Sequence, residues 1–298
     1  MSTTTKIPLS SRTDFAKAER IVIKAGTSVV SDEQGYPSLV RISNIVESAS
    51  RLVRAGKEVL IVSSGAVGCG RRILRQQLLR RRSLHDFIRS GSVIDQATNT
   101  SYSSACAAAG QMGLFTLYDT LFNQFDMSTS QLLVTAFDFN AEERKQNLQY
   151  VISELLSLGV VPIINENDAV TGNQGYETCG KAFSDNDSLA SLVAQLCGAQ
   201  LLVLLTDVEG VYTCHPKMEG ARRIDVLKKK DYVQFWEKSA GGRGGMAAKL
   251  KALHDAVDAG VDAVVIASGH QDKTVDRIVA GERIGTAAFC QTVADSDS

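Results

Sequence analysis

The sequence predicts a three-layer α/β/α sandwich on a parallel-rich central sheet. Three observations carry this: short unbroken apolar runs recur along the chain, helical-period stretches lie between them, and Gly-rich or polar turns follow the runs. An apolar run without alternation reads as a strand buried on both faces, the condition of a parallel sheet covered by helices. Strand and helix alternating over the whole length imply right-handed crossovers.

The strands are read at 20–24 (RIVIK), 58–62 (EVLIV), 160–164 (VVPII), 201–205 (LLVLL) and 263–267 (AVVIA), with a weaker one at 131–134 (QLLV). Helical periodicity occupies 39–55, 105–125, 141–158, 187–196 and 246–259. Asp185-Asn186-Asp187-Ser188 precedes the apolar part of the fourth helix and supplies capping side chains. That helix start is expected to attract phosphate or carboxylate. The stretch 68–104 holds the run RRILRQQLLRRR and then a polar segment without apolar periodicity, which reads as a helix followed by a mobile excursion. Its Arg residues read as a solvated helix face. Residues 293–298 form an acidic tail expected to be disordered.

Composition narrows the function. The 298 residues carry 32 Lys+Arg against 33 Asp+Glu, a formal net charge of −1, which argues against a surface built to hold nucleic acid. No run approaches the roughly 18 apolar residues of a membrane helix, so no membrane role is expected. Six scattered Cys without a C-x-x-C read as reduced, and the N-terminus lacks a secretory core, so the expected location is cytoplasmic.

Chemistry gathers where strands end. Gly-rich turns follow RIVIK (Ala25-Gly26-Thr27-Ser28) and EVLIV (Ser63-Ser64-Gly65-Ala66), and a third reads Gly241-Gly242-Arg243-Gly244-Gly245-Met246. Such turns offer backbone N–H groups to phosphate, although no Walker A motif is present. Lys24 closes a buried strand and so must be paired or directed into a polar cleft. Asn165-Glu166-Asn167-Asp168 and Thr206-Asp207 place polar side chains after two more buried strands.

Together, IVIKAGTS, IVSSGAVGCG, AAAGQMGL, PIINENDAV, FSDNDSLAS, LLLTDVEGVYT and GGRGGMAAKLKA resemble the amino-acid kinase superfamily, and within it the glutamate 5-kinases and the kinase half of pyrroline-5-carboxylate synthases. The resemblance implies a kinase domain over 19–289, with tails at 1–18 and 290–298 and no PUA (RNA-binding-like) or reductase domain. It implies transfer of the ATP γ-phosphoryl group to the γ-carboxylate of L-glutamate, opening proline biosynthesis. Lys24, Lys249 and Asp187 match the catalytic positions. Ser64, Gly65, Asp168 and Asn186 match the substrate-binding positions. Lys24, Thr206, Asp207, Arg243, Gly244, Gly245, Met246 and Lys249 match the nucleotide segments, and Asp185 is a candidate for Mg²⁺. ATP and Mg²⁺ are the implied cofactors, with proline as a feedback inhibitor and a homo-oligomer as the implied assembly. N-acetylglutamate kinase activity and a catalytically silent amino-acid sensor are the alternatives.

Overall fold

The computed structural model describes residues 8–81, 100–171, 182–214, 218–228 and 245–290. Among them, seven strands form one sheet in the order β3-β4-β2-β1-β5-β6-β7. They are β1 Arg20–Ala25, β2 Glu58–Ser63, β3 Thr129–Val134, β4 Val161–Glu166, β5 Leu201–Thr206, β6 Ala263–Ser268 and β7 Thr286–Phe289. The first six run parallel, and β7 pairs antiparallel with β6. The helices are α1 Thr27–Val30, α2 Leu39–Arg54, α3 Ala66–Arg81, α4 Thr100–Asn123, α5 Phe137–Asn140, α6 Glu142–Ser157, α7 Asp168–Thr171, α8 Asn186–Leu196, α9 Met246–Asp258 and α10 Thr274–Val279.

Strand alternation sorts the apolar residues into two cores. Ile21, Ile23, Val59, Ile61, Val203 and Leu205 face α2, α4 and α10. Val22, Leu60, Val62, Leu202 and Leu204 face α6, α8 and α9. This is the three-layer α/β/α sandwich expected. All six expected strands form, each lengthened at one end, and β4 begins one residue later than expected, at Val161. The seventh, β7, escaped notice because its four residues, TAAF, are too few and too small to stand out as an apolar run.

The N-terminal boundary also moves. Residues before 19 were expected to be a tail, yet Leu9, Phe15 and Ala18 are buried in the first core. The Arg12 guanidinium in the 3₁₀ turn Arg12–Lys17 donates to the carbonyls of Asp225, Ile284 and Gly285, fastening this segment to the approach to β7.

Two features position the site. The chain leaves central β1 for β2 on one side and later places β5 on the other, so the sheet divides around the carboxyl end of β1, where ligands of open α/β sheets bind. Helices α3 and α4 meet backbone to backbone. A Cβ on Gly70 would lie 1.7 Å from the Cys106 carbonyl oxygen, and one on Gly110 would lie 2.0 Å from that of Ala66. This contact sets α4 beside the β2–α3 turn. The excursion expected after the Arg run lies, from residue 82 to 99, outside the described residues, as does the acidic tail.

Candidate active site

Lys24 belongs to a strand covered on both faces, and the residue is only 4% exposed. A buried ammonium persists only beside a counter-charge. Asp187, in the first turn of α8, supplies it: Oδ1 lies 2.6 Å from Lys24 Nζ, and Oδ2 accepts from Lys249 Nζ at 3.2 Å. The Lys24 contact is a close ion pair. Burial pushes Lys24 below the ordinary lysine range; the Asp187 charge opposes this and the Lys249 charge adds to it. Two lysines share the Asp187 carboxylate at the carboxyl end of β1, and the Asp185 charge also acts on Lys24. Paired ammonium groups of this kind can hold an anion that bears several oxygens.

The helix start that carries Asp187 behaves differently from expectation. Asp185 Oδ1 accepts from the backbone N–H groups of Asp187 (3.1 Å) and Ser188 (2.8 Å), while Ser188 Oγ accepts from the Asp185 N–H, forming a capping box. Those N–H groups are therefore engaged by the protein rather than offered to a phosphate. Asp187 itself sits in the first turn, at the positive end of the helix dipole. Asp185 owes its place to the cap, and among the described residues no three His, Cys, Asp or Glu side chains converge as a resident metal would require.

On the β2/β4 side, Asn186 Nδ2 donates to Ser64 Oγ at 2.7 Å, to Asn165 Oδ1 at 3.0 Å and, more weakly, to the Ser63 carbonyl at 3.3 Å. Gly65 permits the turn: its φ is +107°, and a Cβ there would lie 2.7 Å from Val30 Cγ2. Asp168 opens α7 immediately after β4. Sequence reasoning left Asn165 and Gln111 out of the candidate set. Both are engaged here, with Asn165 Nδ2 donating to Gln111 Oε1 at 2.8 Å. Beneath them, Tyr118 is fully buried and meets Ser63 Oγ at 3.1 Å; burial pushes its phenol up to about 12, against the opposing Ser63 hydrogen bond.

On the β5/β6 side, Gly26 follows β1 with its N–H bonded to the Leu205 carbonyl, and a Cβ there would stand 3.4 Å from Lys24 Nζ. Thr206 Oγ1 donates to Asp207 Oδ1 at 2.9 Å, so this pair forms a local cap beside the opening. Gly245 and Met246 begin α9, and the helix carries Lys249 back to Asp187. Arg243 and Gly244 lie outside the described residues. The fold therefore unites Lys24, Asp187 and Lys249 at the centre, Ser64 and Asn186 on one side, and Thr206 and Asp207 on the other.

Residues 19–268 match the amino acid kinase family. The chain belongs to that family. This amino acid kinase chain is 42% identical over 280 residues to delta-1-pyrroline-5-carboxylate synthase 1 of Oryza sativa subsp. japonica, an alignment spanning 93% of the chain and 38% of the relative. It is 36% identical over 274 residues to glutamate 5-kinase of Caldanaerobacter subterraneus subsp. tengcongensis, spanning 90% of the chain and 67% of the relative. The chain thus spans less than half of the plant synthase. Its fold is that of UMP kinase from Bacillus anthracis, with a TM-score of 0.60, 16% identity, and coverage of 92% of this chain and 97% of the other.

Proposed function

We propose that the chain transfers the γ-phosphoryl group of ATP to the γ-carboxylate of L-glutamate, yielding γ-glutamyl 5-phosphate and ADP in the first step of proline biosynthesis. The observation that carries this is the buried Lys24–Asp187–Lys249 cluster at the point where the sheet divides. Similarity to a glutamate 5-kinase over 90% of the chain supports the choice of substrate.

A side-chain carboxylate is ionised at neutral pH, so the attacking oxygen needs no general base. It bonds to the γ-phosphorus as the bond to the β–γ bridging oxygen breaks, and that electron pair leaves on ADP. Catalysis is then positioning and charge neutralisation. Lys24 and Lys249 offset charge on the phosphoryl oxygens, and Asp187 holds both ammonium groups in place. Ser64, Gly65, Asn186 and Asp168 hold glutamate, with Asp168 facing its α-ammonium. Thr206, Asp207, Gly245 and Met246 border the nucleotide. Mg²⁺ arrives as part of the substrate, bound to the ATP phosphates, which suits a site with few free carboxylates. Proline as a competing ligand, a homo-oligomeric assembly and a cytoplasmic location belong to the same reading.

The test is coupled ADP release with glutamate, N-acetylglutamate and aspartate, with hydroxylamine present to trap the acyl phosphate. A γ-glutamyl hydroxamate from glutamate alone is expected. Trapping only with N-acetylglutamate would transfer the assignment to the acetylated substrate, and no hydroxamate from any of them would overturn it.

A further inference from the structure

Three side-chain amides from three elements form a directional chain at the substrate side. The Ser63 carbonyl can only accept, so the Asn186 atom facing it is Nδ2. The same Nδ2 meets Asn165 Oδ1, which fixes the Asn165 amide, and Asn165 Nδ2 then donates to Gln111 Oε1. Polarity therefore runs from β2 through α8 and β4 to α4. Both hydrogens of Asn186 Nδ2 are engaged among three acceptors. What remains is Oδ1, buried and without a donor among the described residues. A buried acceptor without a donor is costly, and a ligand that brings an N–H or O–H satisfies it.

We infer that Gln111 is a positioning residue for amino-acid recognition: its amide oxygen holds Asn165, and through it Asn186, in the orientation that leaves Asn186 Oδ1 as an acceptor for the substrate's α-ammonium. The inference rests on the glutamate-kinase reading above. It changes what Asn186 does, because an amide whose hydrogens are already committed accepts from the ammonium rather than donating to a carboxylate. Gln111 gains its importance from its place at the far end of the chain. Without its acceptor, the Asn165 amide is free to rotate, and the Asn186 amide loses the partner that opposes rotation.

The experiment compares Gln111→Met, which keeps the length but removes the acceptor, with Gln111→Glu, which keeps an acceptor oxygen. Gln111→Met raises the KM for glutamate about five- to tenfold, the scale of one lost neutral hydrogen bond, while kcat and the KM for ATP stay within about twofold. Gln111→Glu stays within about threefold of the parent for all three, and both variants keep the parent's melting temperature within about 3 °C. An active parent with an unchanged KM in Gln111→Met overturns the inference and leaves the glutamate-kinase reading standing. Equal losses in KM and kcat together with a lowered melting temperature also overturn it, by showing a merely structural role. A parent that forms no γ-glutamyl hydroxamate removes both.

Discussion

Replacing Asp187 with Asn tests the electrostatic core of the site. The substitution keeps shape but removes the one carboxylate that lies 2.6 Å from Lys24 and 3.2 Å from Lys249, leaving two buried ammonium groups facing each other. Breaking a buried pair by deleting one partner costs about 3–5 kcal/mol. A second route gives the same ceiling. An unpaired Lys24 can shed its proton, and from the ordinary lysine value of 10.5 that costs about 5 kcal/mol at pH 7 but about 1 kcal/mol at pH 9.5. The sign follows: the folded state disfavours the charged lysine, so the penalty is full at neutral pH and shrinks as pH rises toward 10.5. Urea unfolding of parent and variant at pH 7 and pH 9.5 measures it. A destabilisation of about 3–5 kcal/mol at pH 7 that shrinks by at least half at pH 9.5 is expected. A loss of the same size at both pH values would refute the reasoning.

Three further outcomes follow from the same contacts. Lys24→Arg shifts the alkaline limb of kcat/KM to higher pH, because burial lowers the Lys24 pKa whereas a guanidinium stays charged; an unmoved limb would assign that titration to another group. Gly110→Ala places a Cβ 2.0 Å from the Ala66 carbonyl oxygen, so α3 and α4 must separate, costing about 1–3 kcal/mol despite the better helix propensity of Ala; a raised melting temperature would contradict this. Tyr118→Phe loses about 1 kcal/mol with the Ser63 hydrogen bond. It also removes the decline in stability between pH 10 and about 12, where an unfolded tyrosine ionises and the buried one stays neutral; urea titrations across that range report both effects.

What was legible in the sequence follows from burial. β1, β2, β4, β5 and β6 are covered on both faces, so each was written as an unbroken apolar run, whereas β7 is only four residues long and carries small residues. Lys24 was visible as an anomaly, a charge at the end of such a run. Its convergence with Asp187 and Lys249 was not visible in spacing, since α8 and α9 reach it from 62 residues apart in the chain. Resemblance to the kinases supplied that grouping. Gln111 and Tyr118 stayed hidden for a different reason: on a helix rich in Ala and Leu, an inward glutamine or tyrosine has no periodic signature separating a hydrogen-bonding role from core packing.

The start of α8 bears on the proposal that the lysines do the anion binding. A helix N-terminus with free N–H groups is itself an anion site, and this one stands beside the end of β1. Here the positive end of the dipole acts on two of the protein's own carboxylates: Asp185 takes the N–H groups, and Asp187 sits in the first turn. Asp187 is in turn the counter-charge beside which Lys24 is buried. On the proposed reading, a phosphoryl group at this site meets the ammonium groups of Lys24 and Lys249. Held by Asp187, the two ammonium groups are in place before charge moves from attacking carboxylate to leaving diphosphate, so they need not reorganise as it does. This arrangement suits a transfer in which charge migrates along a line of oxygens rather than collecting on one.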